Sequence, residues 1–260
     1  MSNLTICYLN HGDSAVLSAS PVALSNLPVA YLQNDSRGYM FGAATSGVQD
    51  IRGDWNNTAY TVGCIKLDRT NLADGDTWRV QLYSDVAWTT NIYDSGVISV
   101  FTTGLYSGFD YSSAELFFTA VSSVKSFKIT ITSAAAVRIS RLFIGPTIVA
   151  GYNPQWGLSS GWSTNSTVTR TDGGSLRSNI GSQWRSLSFD MLLTTEADRS
   201  IWYEIARYCS TTKALWVSVF PGVGGVQERD HSFIGKLETN PMTRWGSFNQ
   251  FDFSIKLSEI

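Results

Sequence analysis

Two histidines, three cysteines and a scatter of carboxylates are the side chains of this sequence best suited to chemistry. Their spacing decides how much they can do. His11 and His231 stand apart from each other, from every cysteine and from any ligand-spaced acid, whereas an ordinary zinc site needs three or four such groups converging. His231, in "ERDHSF", reads as a residue of a solvated turn or strand start. Cys7, Cys64 and Cys209 are odd in number and widely separated, which suits buried thiols in a reducing compartment better than a disulfide framework. "NLADGDTW" places Asp74 and Asp76 around Gly75, with Asp68 as a conceivable third oxygen donor. The run lacks the alternation and closing Glu of a calcium loop and reads as a tight turn into a strand. Glycosidase chemistry needs two carboxylates across a cleft; Asp110, Glu115 and Glu238 are scattered acids whose separation the sequence does not fix.

Short motifs add little. There is no Gly-x-Ser-x-Gly elbow, phosphate-binding Gly-x-x-x-x-Gly-Lys-Ser loop or His-Glu-x-x-His helix. "PGVGGV" is glycine-rich but leads into "QERD" and reads as a turn, with no helix N-terminus to receive a phosphate. "RGD" at Arg52 to Asp54 is a three-residue match of the kind that arises by chance. The sequons at Asn3, Asn34, Asn56 and Asn165 are discounted because "MSNLTICYLN" does not read as a secretion signal. The residues therefore predict a protein that is not an enzyme and that uses no cofactor and no metal.

Composition bounds the remaining possibilities. At 260 residues the chain has room for two domains with their own cores. Charged residues make up 15%, below the roughly 25% of ordinary soluble domains, so the surface is expected to be polar but weakly charged. A formal net charge of -2 and the absence of a basic stripe argue against direct nucleic-acid binding. No apolar run approaches the roughly 20 residues that span a bilayer, which predicts a soluble chain made in a cytosol. Aromatic residues reach 13%, with nine Trp, a level natural to a β-sandwich or an interaction surface.

The periodicity is mainly that of strands. In "TWRVQLYS", Trp78, Val80 and Leu82 alternate with Arg79, Gln81 and Tyr83; in "KSFKITIT", Phe127, Ile129 and Ile131 alternate with Lys128 and Thr130. "AELFFTAV" and "VRISRLFIG" complete a set of short strands divided by Gly, Ser and Asp turns, the pattern of a sandwich or jelly roll. The first sixty residues read as irregular chain with a few short strands. Strand rhythm lapses in "PTIVAGYNP", which predicts a boundary between residues 1–148 and 149–260.

In the second part, Leu187, Phe189 and Met191 mark a half-buried strand before the period switches. Thr195 is the expected N-cap, Asp198 its partner, and Ile201, Trp202, Ile205, Tyr208 and Cys209 form the apolar stripe of a helix over 196–209. "ALWVSVFPG", "SFIGKLE" and "NQFDFSIKLSE" return to strand. One helix packed on antiparallel strands predicts an α+β second domain.

The ordered motifs "SASPVALSNL", "WRVQLYSD", "YDSG", "ISRLFIGP", "NPQWGLSSGW", "RTDGGSLRS" and "RSLSFDMLLTTEADRSIW" together resemble tail proteins of long-tailed bacteriophages. The resemblance covers most of the chain and rests on no catalytic signature. It implies a mainly β chain: an N-terminal jelly-roll β-sandwich of the discoidin or galactose-binding-like kind, then a domain like that of distal tail proteins, a β-sandwich or barrel with one packed helix. It further implies a virion protein in the phage tail, made in the host bacterial cytoplasm, that assembles as a six-membered ring between the tail tube and the baseplate or tip. Sugar-binding members of the galactose-binding-like superfamily combine loop aromatics with Arg, Asn or His, and no such set is fixed by motif here. Trp55, Trp88, Tyr106, Phe109 and Tyr111 are the loop-like aromatics available. They are expected either to fill inter-domain or subunit interfaces, which favour such residues, or to bind a host surface glycan.

Overall fold

The computed structural model describes residues 3–100, 112–151, 153–154, 157–247 and 250–260. Up to residue 149 the strands are β1 (Thr5–Cys7), β2 (Val16–Ser20), β3 (Phe41–Gly42), β4 (Gly47–Asp54), β5 (Tyr60–Thr70) and β6 (Thr77–Tyr83). They continue as β7 (Asn91–Asp94), β8 (Ile98–Ser99), β9 (Ser113–Val124), β10 (Ser126–Ser133), β11 (Arg138–Gly145) and β12 (Ile148–Val149). Beyond it come β13 (Ser159–Thr164), β14 (Thr167–Arg170), β15 (Leu176–Asn179), β16 (Gln183–Thr194), α1 (Glu196–Cys209) and β17 (Leu215–Ser218). The chain closes with α2 (Gly225–Asp230), β18 (Ser232–Leu237), β19 (Arg244–Ser247) and β20 (Gln250–Glu259). It divides into two compact units, Met1–Val149 with Leu215–Ser232, and Ala150–Ala214 with Phe233–Ile260.

Two open antiparallel sheets build the first unit, one in the order β2-β4-β10-β6-β7 with β8 beside β6, the other in the order β3-β11-β5-β9. Strand alternation puts Ile51, Trp78, Val80, Leu82, Phe127, Ile129 and Ile131 of the first sheet into the same core as Val62, Ile65, Leu67, Ile139, Leu142 and Ile144 of the second. Apolar faces buried against each other in this way supply most of the stabilisation of a two-sheet unit. The eight-residue β4 shows that the first sixty residues contribute a central strand, contrary to the irregular chain read there. Its inward positions are Gln49, Ile51 and Gly53, so only one large apolar residue marks its period. Gly53 is required because a Cβ at that position would lie 2.4 Å from the Phe127 ring. The "RGD" is thus part of a paired strand, not a loop tip.

In the second unit, β18, β20, β16 and β13 form an antiparallel sheet with β19 against β20, while β14 and β15 make a separate hairpin. Leu187, Phe189, Met191, Phe253, Ile255 and Leu257 are buried. The α1 helix starts at Thr195, whose hydroxyl accepts from the Asp198 N–H at 3.3 Å and donates to the Asp198 carboxylate at 3.0 Å. Trp202 packs its ring against Phe189 and Phe253. The architecture is mostly β with several open sheets and two α-helices among the described residues. This corrects the expectation of a single helix. The "PGVGGV" turn is entered by Gly224 and Gly225, both at positive φ, and continues directly into the six residues of α2. No closed barrel is formed among the described residues.

Candidate functional site

The outer face of the β2-β4-β10-β6-β7 sheet is polar because alternation sends every second residue away from the core. Register aligns Ser18, Arg52, Lys128, Gln81 and Asp94 in one row across the five strands. The next row holds Ser20, Asp50, Thr130 and Arg79. Asp50 is the hub of the first charged group, 2.9 Å from Arg52, 3.1 Å from Lys128 and 2.7 Å from the Thr130 hydroxyl that donates to it. Burial raises the Asp50 carboxyl, but hydrogen bonds from Thr130, Arg52 and Lys128 outweigh it and hold the group below its ordinary value. Arg79 grips Asp94 through two donors. That contact, with the Gly96 N–H, draws the Asp94 carboxyl down to about 2.

A loop from Ser84 to Thr90 folds over one end of these rows. Asp85 organises it: its carboxylate accepts from the N–H groups of Ala87 at 2.8 Å, Thr89 at 3.1 Å and Thr90 at 2.5 Å. The Thr89 bond leads in lowering the Asp85 carboxyl to about 2. Ser126 donates to the Asp85 carbonyl at 2.6 Å, tying the loop to β10. Trp88, inside this clamp, has φ +55, a left-handed conformation uncommon for a large residue and held only where neighbours over-determine it. Its indole N–H donates to the Phe127 carbonyl at 3.3 Å, and the Arg52 guanidinium carbon lies 5.9 Å from its ring centroid. Trp88 is half-buried. The loop therefore fixes one aromatic ring beside a row of donors and acceptors.

Trp55, also singled out from the sequence, does not join it. Trp55 is only 3% exposed; its N–H donates to the His11 carbonyl at 2.8 Å and its ring packs on Tyr60 and Phe127. It is a core residue, which corrects its reading as a loop aromatic free to meet a ligand. Tyr106, Phe109 and Tyr111, like Asp110, lie outside the described residues. Arg52, Asp50, Lys128 and Thr130 were missed as site residues. The alternation of Lys128 and Thr130 was visible, but the partner strand β4 was not.

The acids and histidines weighed for catalysis have internal partners. Glu115 pairs with Lys66 at 2.7 Å and accepts from Ser232 at 2.5 Å, Glu238 accepts from Ser258, and Asp76 accepts from Ala73 N–H and Ser133. His11 stacks on Tyr60 at 4.1 Å, and burial lowers its pKa. The His231 ring contacts the Gln227 carbonyl at 3.0 Å. A cavity of about 120 Å³ in the first unit is lined in part by Trp78, Glu115, Glu228 and Arg229. Glu228 there accepts from the N–H groups of Gly222 and Gly224, at 2.6 Å each. Among the described residues no group of three or more His, Cys, Asp or Glu could hold a metal ion. No helix is long and apolar enough to cross a membrane among the described residues.

No protein-family model matches the chain, and no curated protein matches it. Solved structures do. The chain is similar to chitosan-binding module 1 of a chitosanase/glucanase from Paenibacillus sp. IK-5, at 18% identity over 53% of this chain and 99% of that one, with a TM-score of 0.40. It is similar to a Streptococcus pneumoniae fucose binding module, at 15% identity over 53% of this chain and 94% of that one, TM-score 0.40. A Ruminococcus gnavus GH29 fucosidase matches at 12% identity over 54% of this chain and 27% of that one, TM-score 0.41. These matches are to sugar-binding modules and sugar-processing enzymes of non-phage proteins, which corrects the expectation of a virion, tail or baseplate structural protein. At these scores the likeness carries no argument about the site.

Proposed function

We propose that the chain is a carbohydrate-binding protein, and that its first unit, a β-sandwich of jelly-roll type, takes a glycan on the outer face of β4, β10 and β6 with Trp88 as the stacking platform. The observation that carries this reading is the clamped indole of Trp88 next to the Arg52, Lys128 and Asp50 group. A saccharide ring has an apolar C–H face and a rim of hydroxyls, so it is matched by an aromatic surface beside a few fixed donors and acceptors. Arg52, Lys128 and Gln81 donate, Asp50 accepts, and Thr130 does either. Holding the ring in advance lowers the ordering cost of binding.

A glycan array followed by titration calorimetry on the intact chain tests the proposal. Binding to at least one oligosaccharide is expected, weakened about 30-fold or more by Trp88→Ala, the scale of a truncated aromatic hot spot. Trp55→Ala is expected to lower the melting temperature, because that ring belongs to the core. An array without signal, or a Trp88→Ala chain of unchanged affinity, overturns the assignment.

A further inference from the structure

Cys7 on β1 and Cys64 on β5 are both fully buried, and their sulfur atoms lie 2.8 Å apart across 57 residues of sequence. Two things bring them together. β1 pairs with β12 and β17, placing Cys7 opposite Trp216, while β5 pairs with β11, placing Cys64 opposite Gly145. The residues after β1 run close over β11, because a Cβ on Gly145 would lie 2.0 Å from the Leu9 carbonyl oxygen. The two thiols are then left facing each other with few polar neighbours. Cys64 Sγ also reaches the Gly145 carbonyl at 3.3 Å, and burial foremost, then the Cys64 thiol, pushes the Cys7 thiol up. No third metal-ligating side chain joins them among the described residues. The pair is thus neither a metal site nor an exposed reactive thiol.

We propose that Cys7 and Cys64 are a cross-linking site, joined as a disulfide when the chain folds in the presence of a disulfide oxidant such as oxidised glutathione. The two thiols together lose two protons and two electrons as the S–S bond forms, and the oxidant is reduced to two glutathione thiols. Closing the gap takes a movement of about 0.75 Å, from the observed 2.8 Å to the ~2.05 Å of an S–S bond, within reach of small side-chain rotations. Exchange proceeds through a thiolate and needs access to the sulfur. Both sulfurs are sealed in the folded chain, so exchange takes place while β1 is docking and the thiols are still accessible, and the bond resists reduction until the unit unfolds. The link staples the N-terminal strand to β5 and constrains the unfolded chain over the intervening loop. In this structure all three cysteines are buried free thiols, as the sequence predicts; Cys7 and Cys64 are the two within reach of each other, while Cys209 stands in the second unit.

The test is to refold the full chain with excess oxidised glutathione, and separately with a reducing thiol, then denature it in the presence of a maleimide and weigh it. Uptake of one label after oxidative folding and three after reductive folding is expected. Peptide mapping should recover a Cys7–Cys64 linked peptide, and the oxidised form should melt several degrees higher than the reduced form. The Cys209→Ser variant removes ambiguity, with none and two labels expected. Three labels after oxidative folding, or a linked peptide containing Cys209, overturns the proposal.

Discussion

Lys66 is fully buried on β5 within a ledger of buried charged neighbours. Its ammonium lies 2.7 Å from Glu115 and 3.8 Å from Asp68, and Asp68 in turn lies 3.8 Å from Arg69. Buried Glu228 also acts on this group, repelled by Glu115 and attracted by Lys66, and Ser232 and the Trp216 ring, 5.4 Å from the ammonium, complete the surroundings. Removing one partner of a buried pair leaves an uncompensated charge and costs about 3–5 kcal/mol. Lys66→Met, which strands Glu115, is expected at that value. Glu115→Gln keeps an acceptor for Lys66 and for Ser232 and is expected at the low end, about 3 kcal/mol. The double variant removes one charge of each sign, so the net charge of the group is unchanged, and replacing a whole buried pair is often close to neutral. Its cost should fall short of the sum of the single costs by at least about 2 kcal/mol. Urea unfolding followed by circular dichroism measures the three values, and scanning calorimetry should show each single variant melting about 6–20 °C lower. Single variants that cost under about 1 kcal/mol, or a double variant additive to within about 0.5 kcal/mol, refute the charge-balance reasoning.

Three further outcomes follow from the same structure. Gly53→Ala forces a methyl group to within 2.4 Å of Phe127 and is expected to cost about 1–3 kcal/mol, read as a lower urea midpoint with unchanged slope. Thr195→Ala removes the N-cap of α1 and is expected to cost about 1 kcal/mol, lowering the helix melting temperature by a few degrees in circular dichroism. The Asp85 and Asp94 carboxyls are held down to about 2, against an ordinary 3.8. Their depressed values make their contributions present above 3.8 and lost only as pH falls through about 2. Glycan binding measured against pH should therefore persist through pH 3.8 and fail near 2, and Asp85→Asn, which weakens the clamp, should lower affinity at neutral pH as well.

The parts of the fold legible in the sequence are those whose burial is one-sided. β20 alternates throughout and β6, β10 and β16 over most of their length, and the stripe and cap of α1 place its ends at Glu196 and Cys209. β4 escaped notice because two of its inward positions are polar or empty. Gln49 is 1% exposed, yet its amide donates to the Pro21 carbonyl at 2.9 Å, and Gly53 makes room for an aromatic ring from the next strand. α2 escaped because six residues hold less than two turns, too few to show a period. That Leu215–Ser232 gathers with the first unit is a matter of long-range contact, on which local pattern is silent. Trp55 and Trp88 look alike in sequence, each followed by two polar residues, Asn56-Asn57 and Thr89-Thr90. One is drawn into the core by a hydrogen bond to His11, and the other is kept half outside by the Asp85 clamp.

That difference bears on what the outer face is for. The side chains of Arg52, Lys128, Arg79 and Asp94 are 25–43% exposed, and ion pairs at such positions contribute little to folding. The stability of the unit rests instead on the two-sheet core and on the buried Lys66 ledger. A regular polar surface that contributes little to stability is available for the recognition proposed above, and the positive φ of Trp88 is in keeping with that proposal. The two properties should therefore separate under mutation. Substitutions at Arg52, Lys128 and Trp88 should change glycan affinity with little loss of melting temperature, whereas Lys66, Glu115 and Trp55 should show the reverse. If every substitution that weakens binding also lowers the melting temperature in proportion, the face is acting through the fold and the separation fails.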